Sequence, residues 1–215
     1  MKVSSSKEKI LKKIREALSN PVPLPFPKSE GNSSVFKAQS EELEILFAQE
    51  FTGLLGKFAF CVSEIDAKNQ IKELIRQQNW SNVYSAEKQF SNLFNAEEFP
   101  VISDASLTNC DAAITSCHYL VARTGAIVMS SAQQSGRTVS AYAAVHICIA
   151  YVDQLVFDTR DVLKGLKSKY GNNLPSFITF AAGPSRTADI EKTLVVGVHG
   201  PKEVYLFLID TQQGQ

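Results

Sequence analysis

Residues 183–191, Gly-Pro-Ser-Arg-Thr-Ala-Asp-Ile-Glu, have the types and spacing best suited to chemistry in this chain. They follow an apolar run, Phe177–Ala182, which predicts a buried strand, and the Gly-Pro pair then forces a turn. Thr187 can cap a following helix whose first turn contains two acidic residues. A strand, a tight loop and a helix N-terminus would gather backbone N–H groups, hydroxyls and the Arg186 guanidinium. This stretch predicts a phosphate or carboxylate site; alternatively, Arg186 forms a structural ion pair in a capped connection.

Three other segments place polar groups at predicted loops or strand ends, where α/β proteins usually carry their sites. One of them runs from Arg123-Thr124-Gly125 through Ser130-Ser131 to Arg137, although single surface hydroxyls are weak evidence. The turn Gly197–Pro201 contains His199, which is a general acid or base, an anion contact or a hydrogen-bonded turn residue. His146 begins an apolar strand, where a histidine is more often a core residue than a ligand contact. No residue is assigned a catalytic role. The candidate ligand-binding residues are Thr124, Gly125, Ser130, Arg137, His146, Gly183, Pro184, Ser185, Arg186, Thr187, Asp189, Glu191, His199 and Gly200.

The sequence lacks the motifs of well-known nucleotide and metal sites. It contains no GxGxxG run before a helix, no P-loop, no GxSxG elbow and no HExxH pair. Its four cysteines have no CxxC spacing, and its three histidines are scattered. We therefore predict no metal site and no cofactor in this chain, and reduced, buried cysteines as in a cytosolic protein.

Composition narrows the classes of function. The chain has 215 residues, of which 44% are hydrophobic, enough for a real core. Its 22 basic residues balance 22 acidic ones, so nothing favours a broad nucleic-acid-binding surface. The longest apolar runs, such as Ala143–Val152, are too short to span a bilayer, and the basic N-terminus has no apolar signal core. We expect a cytoplasmic protein without stable membrane insertion.

Two predicted regions must position these sites. Met1–Gln39 is predicted to be an arm, with an amphipathic helix over Ser4–Leu18, a proline-rich spacer and a polar link, and such arms often pack on a neighbouring subunit of a homo-oligomer. Residues 40–215 are predicted to form one domain, in which helices alternating with short buried strands indicate an α/β sheet covered on both faces. The predicted helices are Ser40–Gly56, Ile65–Gln78, Glu87–Phe94, Asp158–Tyr170 and Ala188–Val196, with a helical turn at His118–Ala122. The predicted strands are Phe58–Val62, Asn82–Tyr84, Val101–Ser103, Asp111–Ser116, Ala126–Ser131, Thr138–Ala141, Val145–Tyr151, Phe177–Ala182 and Glu203–Asp210.

Five motifs stand in the order of a known family. They are Thr124–Val128, Gly136–Ser140, Val145–Ile147, residues 183–191 and Gly197–Pro201. Over about Asp111–Asp210 the chain resembles the lactate-utilisation (LUD) domain family, in its small C-type branch. The nine residues 183–191, with Gly-Val-His-Gly-Pro close behind, are the most specific part of this resemblance.

The resemblance implies a Rossmann-like α/β core akin to the sugar-phosphate isomerase and CoA-transferase superfamily. It also implies a role in oxidising L-lactate to pyruvate, beside iron–sulfur protein partners from a lactate utilisation operon. In that interpretation the chain contributes a small-anion or nucleotide-like ligand site, and iron–sulfur clusters lie only in a partner. Two alternatives stay open: an independent enzyme acting on a phosphorylated or CoA-linked metabolite, and a non-catalytic assembly subunit that docks partners through the arm. One ligand cleft would be lined by residues 183–191, Thr124-Gly125, Arg137 and His199-Gly200.

Two positions depart from the family pattern. Many members have an acidic residue before the Thr-Gly pair, where this chain has Arg123. Members often have a proline pair where this chain has Ala143-Ala144. If the acid is catalytic in the family, this chain has changed its substrate or lost the chemistry.

Overall fold

The chain divides into two compact units, residues 1–39 and 40–215. In the first unit the described element is the helix α1, Ser5–Ser19, whose apolar residues Ile10, Leu11 and Ile14 share a stripe and are exposed. Nowhere in the described ranges does a helix combine the length and apolar character that crossing a bilayer requires. The computed structural model describes residues 5–19, 42–94, 107–188 and 194–210.

The described part of the second unit contains helices, strands and three short 3₁₀ turns. The helices are α2 (Leu43–Gly53), α3 (Glu64–Gln78), α4 (Lys88–Leu93), α5 (Val139–Tyr142) and α6 (Thr159–Tyr170). The strands are β1 (Lys57–Cys61), β2 (Val83–Tyr84), β3 (Ala112–Thr115), β4 (Tyr119–Val121), β5 (Ala126–Ser130), β6 (Val145–Tyr151), β7 (Leu155–Val156), β8 (Ile178–Ala181), β9 (Arg186–Ala188), β10 (Leu194–Val196) and β11 (Glu203–Ile209). The 3₁₀ turns are Leu107–Asn109, Ala122–Thr124 and Val152–Gln154.

Five strands form a parallel sheet in the order β1-β11-β6-β3-β2. In its central pair, Leu206 lies beside Cys148 and Phe207 lies beside Ile149. Because successive side chains of a strand point to opposite faces, β6 and β11 each contribute to two separate cores. Their nearly continuous apolar sequences are typical of strands that are buried on both faces.

Helices cover one face of the parallel sheet, and a second sheet covers the other. Ile71 and Ile75 of α3 pack in one buried cluster with Ile149 and Phe207. The opposite face packs against α2 and a four-stranded sheet of order β7-β4-β5-β8. Helix α6 covers the outer side of that second sheet. The predicted α/β class, with a parallel sheet buried on both faces, is confirmed.

Three predicted segments adopt other structures. Thr138–Ala141, predicted as a strand, lies mostly in the short helix α5, and most of the helical turn predicted at His118–Ala122 is strand β4. The helix predicted over Ala188–Val196 is wrong where it is described, because β9 and β10 pair as antiparallel strands. The β-branched residues of this ribbon favour the extended conformation once a partner strand is present. The strand predicted at Val101–Ser103 lies outside the described residues.

Helix α6 shows how local sequence fixes the ends of an element. Asp158 is its N-cap, and the carboxylate accepts a hydrogen bond from a first-turn backbone N–H at 3.0 Å. Gly171 ends the helix at its C-cap. The predicted helix Asp158–Tyr170 is thereby confirmed. Helix α2, in contrast, begins at Leu43 rather than at the predicted cap Ser40.

Gly125 allows the second sheet to approach α2 closely. Its φ is +57°, in the left-handed region that L side chains rarely adopt. A Cβ at this position would lie 2.5 Å from the backbone nitrogen of Phe51 in α2. The turn between β4 and β5 therefore requires glycine both for its conformation and for its contact with the helix.

We expect Gly125→Ala to destabilise the protein by about 3 kcal/mol or more, because a backbone clash adds to about 1 kcal/mol for a left-handed alanine. Gly136→Ala is the matched control, since its φ is +64° but nothing lies within 4 Å of an added Cβ. The stability lost by Gly136→Ala should stay near 1 kcal/mol. Urea unfolding of both variants measures the difference, and equal losses would show that the contact with α2 contributes nothing.

Candidate functional site

A polar cleft lies at the carboxyl ends of β2 and β3. Glu87 follows β2 closely, and Ser116 and His118 follow β3. Ligands of α/β proteins commonly bind at this edge of a parallel sheet, outside the carboxyl ends of its strands. The loop after β5 and the end of α6 complete the walls. The cavity has a volume of about 450 Å³, and its lining includes Glu87, Lys88, Ser116, His118, Gln133, Lys169 and Tyr170.

A buried carboxylate ties the loops of the cleft together. Glu87 is only 4% exposed. Its oxygens accept hydrogen bonds from the Ser116 N–H at 3.1 Å, the Ser116 hydroxyl at 2.5 Å and Gln89 Nε2 at 2.9 Å. Gln133 Nε2 donates to the Ser116 carbonyl at 3.1 Å, and Gln133 Oε1 accepts from the Ser130 N–H at 2.9 Å. This network fixes the geometry of the cleft walls before any ligand binds.

His118 lies in the cleft wall beside Ser130. Its Nε2 is 2.8 Å from Ser130 Oγ, and its ring packs edge-on against Tyr170 with ring centroids 6.0 Å apart. Burial and then the nearby Lys169 ammonium lower the pKa of His118 below its usual 6.5. The imidazole is therefore neutral at neutral pH.

Two lysines give the cleft positive charge. Lys88 and Lys169 both line it, and in the described ranges neither ammonium group has an ion-pair partner. Glu87 is the one carboxylate among the described residues of the lining, and three protein hydrogen bonds already stabilise it. This combination suits a small anionic ligand.

The cysteines are free thiols, as predicted. Cys61, Cys117 and Cys148 are buried, whereas Cys110, also predicted to be buried, is half-buried. Burial raises the pKa of the Cys61 thiol to about 12 and also raises that of Cys148. These two side chains therefore pack as small protonated hydrophobes. Among the residues that the structure describes, no three His, Cys, Asp or Glu side chains are grouped to hold a metal ion.

Several predicted ligand-binding residues lie at opposite ends of β5. Ser130 ends this strand and is buried behind the wall of the polar cleft, where it contacts His118. Arg137 follows on the next loop, where its guanidinium donates to Ser176 Oγ at 2.6 Å. Thr124 and Gly125 directly precede the strand at its other end. Arg137 and the Thr-Gly pair therefore flank β5 at its two ends, and their shared cleft stays a prediction.

The motif segments Gly183–Ser185 and Gly197–Pro201 do meet in space. The Ser185 N–H donates to the Pro201 carbonyl at 2.9 Å, and the Gly197 N–H donates to the Ser185 carbonyl at 2.9 Å. Two motifs that are separate in sequence thus form one hydrogen-bonded unit.

This second region lies at the amino end of the parallel sheet. The N–H of Lys202, directly before β11, donates to the carbonyl of Ala144, directly before β6. A Cβ on Gly200 would lie 2.9 Å from the Cβ of Ser185, so the two segments are packed tightly. His199 and Gly200 line a cavity of about 390 Å³ there, and the His199 side chain is exposed.

The other candidate residues of the segment 183–191 do not have the surroundings that were predicted for them. Gly183 packs against the end of α2, since an added Cβ would lie 2.5 Å from a carbonyl oxygen there, and Pro184 is buried. Arg186 is exposed and Thr187 is half-buried on β9, so neither stands at a helix N-terminus. Two candidates lie outside the described residues: Asp189 and Glu191.

His146 lies inside the parallel sheet on β6. It is 1% exposed, and its Nε2 lies 2.8 Å from Thr115 Oγ1. Burial lowers the pKa of His146 to about 4, so the ring is neutral. It is a hydrogen-bonded core histidine, the alternative that its sequence context favoured.

Arg123 has a structural partner. Its Nε donates to the Asp158 carboxylate at 2.6 Å, and the Asp158 side chain is 5% exposed. The Arg160 N–H chiefly, with the Arg123 guanidinium, lowers the pKa of Asp158. The arginine that departs from the family pattern therefore links the second sheet to the capped start of α6. Ala143-Ala144 is the other position that departs from the family pattern, and there the Ala144 carbonyl accepts a hydrogen bond from the Lys202 N–H at 2.8 Å.

Sequence motifs missed most of the polar cleft. None of Glu87, Ser116, His118, Gln133 and Lys169 was a candidate. One signal was available, because Glu87 and His118 closely follow two predicted strands, and carboxyl ends of parallel strands share one edge. Using that signal requires knowing that β2 and β3 are neighbours.

Fold and cleft together define a layered α/β domain with a polar cleft beyond the carboxyl ends of two parallel strands. The model of the LUD domain matches residues 46–209. The chain therefore belongs to the LUD domain family.

Curated relatives match parts of the chain. Lactate utilization protein C of Halalkalibacterium halodurans is 43% identical over 93 residues, covering 42% of this chain and 40% of that protein. The Deinococcus radiodurans protein of the same name is 32% identical over 111 residues, covering 51% of each. The uncharacterized protein NMB1437 of Neisseria meningitidis is 32% identical over 102 residues, covering 47% of this chain and 43% of that one. The chain thus spans about half or less of these relatives' lengths.

A solved structure shares the fold. The crystal structure of a DUF162 family protein from Deinococcus radiodurans has a TM-score of 0.57 at 19% sequence identity. The match covers 78% of this chain and 96% of the Deinococcus radiodurans chain.

The stability of the protein should fall in acid through His146. The imidazole has a pKa of about 4 when folded and about 6.5 in the unfolded chain, so the unfolded state binds more protons between these values. The stabilisation of the folded state that comes from neutral His146 is fully present above pH 6.5. About 3 kcal/mol of it is lost as the pH falls to 4. Urea unfolding at pH 7.5 and 4.5 should show a smaller pH effect for His146→Gln than for the wild type.

His199→Gln is the control for this experiment, because it removes an exposed histidine that lies outside the core of the parallel sheet. An identical pH dependence of His146→Gln and the wild type would contradict the core assignment of His146.

Proposed function

We propose that this chain is a component of an L-lactate utilisation system, which oxidises L-lactate to pyruvate, and that it binds a small anionic ligand. The relatives named Lactate utilization protein C support the lactate role. The observation that carries the ligand role is the polar cleft, where Lys88, Lys169 and the neutral His118 surround a pre-formed network.

The charges of the cleft support an acid as the ligand. Lys88 and Lys169 attract a carboxylate, and Glu87 does not pair with either ammonium group. The Glu87 carboxylate instead accepts hydrogen bonds from Ser116 and Gln89. Since these groups are positioned in advance, little ordering of side chains would oppose binding.

The electron acceptor of the reaction belongs, in this proposal, to an iron–sulfur protein partner. That assignment rests on the family resemblance. The chain would hold or deliver the acid, and the partner would accept the electrons released when the alcohol carbon becomes a carbonyl.

Gene deletion and complementation test the proposal. Deleting the gene in the source organism should abolish growth on L-lactate and leave growth on glucose unchanged. Reintroducing the wild-type gene should restore growth on L-lactate. The double variant Lys88→Ala/Lys169→Ala should fail to restore growth, because each lost charged contact weakens anion binding about tenfold or more. Growth rates and the cellular level of the variant are measured together.

Lys164→Ala is the matched control, since Lys164 is an exposed lysine of α6 outside the cleft lining. It should restore growth fully. Normal growth of the deletion strain on L-lactate would reject the lactate role, whereas full complementation by the double variant would reject the cleft as the ligand site.

A second candidate function is assembly of the partners by a non-catalytic subunit. It is favoured by the exposed stripe of α1, where Ile10 is 58%, Leu11 37% and Ile14 48% exposed. Apolar stripes of this kind commonly bind a partner surface. Removing residues 1–39 should then abolish co-purification of the partners while the truncated protein still folds; unchanged co-purification would reject this role.

A further inference from the structure

The polar cleft contains a histidine, His118, whose Nε2 lies 2.8 Å from the hydroxyl of the buried Ser130. We infer that Ser130 holds His118 as the tautomer protonated on Nδ1, so that the ring offers a neutral N–H donor to an oxygen of the ligand. Ser130 is thus a positioning residue and His118 a ligand contact. The ligand part of this inference rests on the proposed function; the tautomer does not.

The first step is the hydrogen-bond requirement of the Ser130 hydroxyl. Its oxygen accepts the Ala132 N–H at 3.2 Å, and the residue is 1% exposed. Among the described residues, His118 Nε2, at 2.8 Å, is the one acceptor within reach of the hydroxyl hydrogen. Leaving that hydrogen unpaired in the interior would be unfavourable, so Ser130 donates and Nε2 accepts. A neutral ring that accepts at Nε2 carries its proton on Nδ1.

The second step concerns the direction of Nδ1. Within the described residues this atom has no hydrogen-bond partner, and no side-chain nitrogen or oxygen there is buried without one. Nδ1 is therefore accessible, and the ring lines the cleft. In this proposal the N–H faces the space that a ligand would occupy.

The third step is the charge of the ring. Burial and the Lys169 ammonium both disfavour the imidazolium, which lowers the pKa of His118. A neutral donor beside an ammonium group suits a carboxylate or carbonyl oxygen of a small acid. Because Nδ1 already carries a proton, His118 would not act as a base towards a ligand in this cleft.

Two-bond ¹H–¹⁵N correlation spectra of the uniformly ¹⁵N-labelled full chain at pH 7.5 test the tautomer directly. The three histidines are assigned by His118→Gln, His146→Gln and His199→Gln. For His118 we expect a protonated-type Nδ1 and an unprotonated-type Nε2. The opposite pattern, or rapid averaging between the two, would overturn the inference.

Ser130→Ala should shift His118 towards the Nε2-protonated form, whereas Ser131→Ala, whose hydroxyl contacts Ser176 instead, should leave it unchanged. The amide spectrum of each variant reports whether it is folded. A folded Ser130→Ala protein with an unchanged His118 pattern would show that Ser130 does not fix the tautomer.

Titration with pyruvate and with L-lactate tests the ligand contact. At least one of these acids should shift the His118 Nδ1 resonance, and Ser130→Ala should weaken its binding about two- to tenfold. Binding without a change at Nδ1 would overturn the contact between His118 and the ligand. If neither acid binds while His118 keeps its Nδ1 proton, the tautomer stands and the proposed small-acid ligand is rejected.

Discussion

The parallel pairing of β6 with β11 is the constraint on which the rest of this domain depends. Each strand alternates between two buried cores, with Ile149 and Phe207 on the side of α3 and Cys148 and Leu206 on the side of the second sheet. Burying a side chain such as Leu206 contributes about 2 kcal/mol. A shift of one residue in register would exchange the two sets of side chains, so the pairing fixes both layers at once.

That pairing also explains which parts of the fold could be predicted. Strands β6 and β11 are continuous apolar runs, and α6 has an N-cap and a glycine stop. Local sequence is therefore enough to predict these three elements. The ribbon β9–β10 misled prediction, because Thr187 followed by acidic residues imitates a helix start. Its strand structure depends on pairing between Thr187 and Val195, which local sequence does not reveal.

The candidate site was harder to predict for the same reason. Its network joins Glu87, Ser116 and Gln133, which lie on loops after three different strands. Local sequence gives no sign that these loops meet. Ser130 was found because it ends a recognisable strand, whereas the chemically richer His118 follows β3 in a segment that was assigned to a helical turn.

The two ends of strand β5 have different roles: one packs against α2 and the other supports the polar cleft. At the start of β5, Gly125 permits contact with α2 at a distance that no Cβ would tolerate. At its other end, Ser130 contacts His118 and the loop of Gln133. Since β5 is a single buried strand between these points, the packing that requires glycine at one end also fixes where Ser130 stands at the other. A motif that looks like a ligand signature in sequence can therefore serve the site indirectly, by holding the strand that presents it.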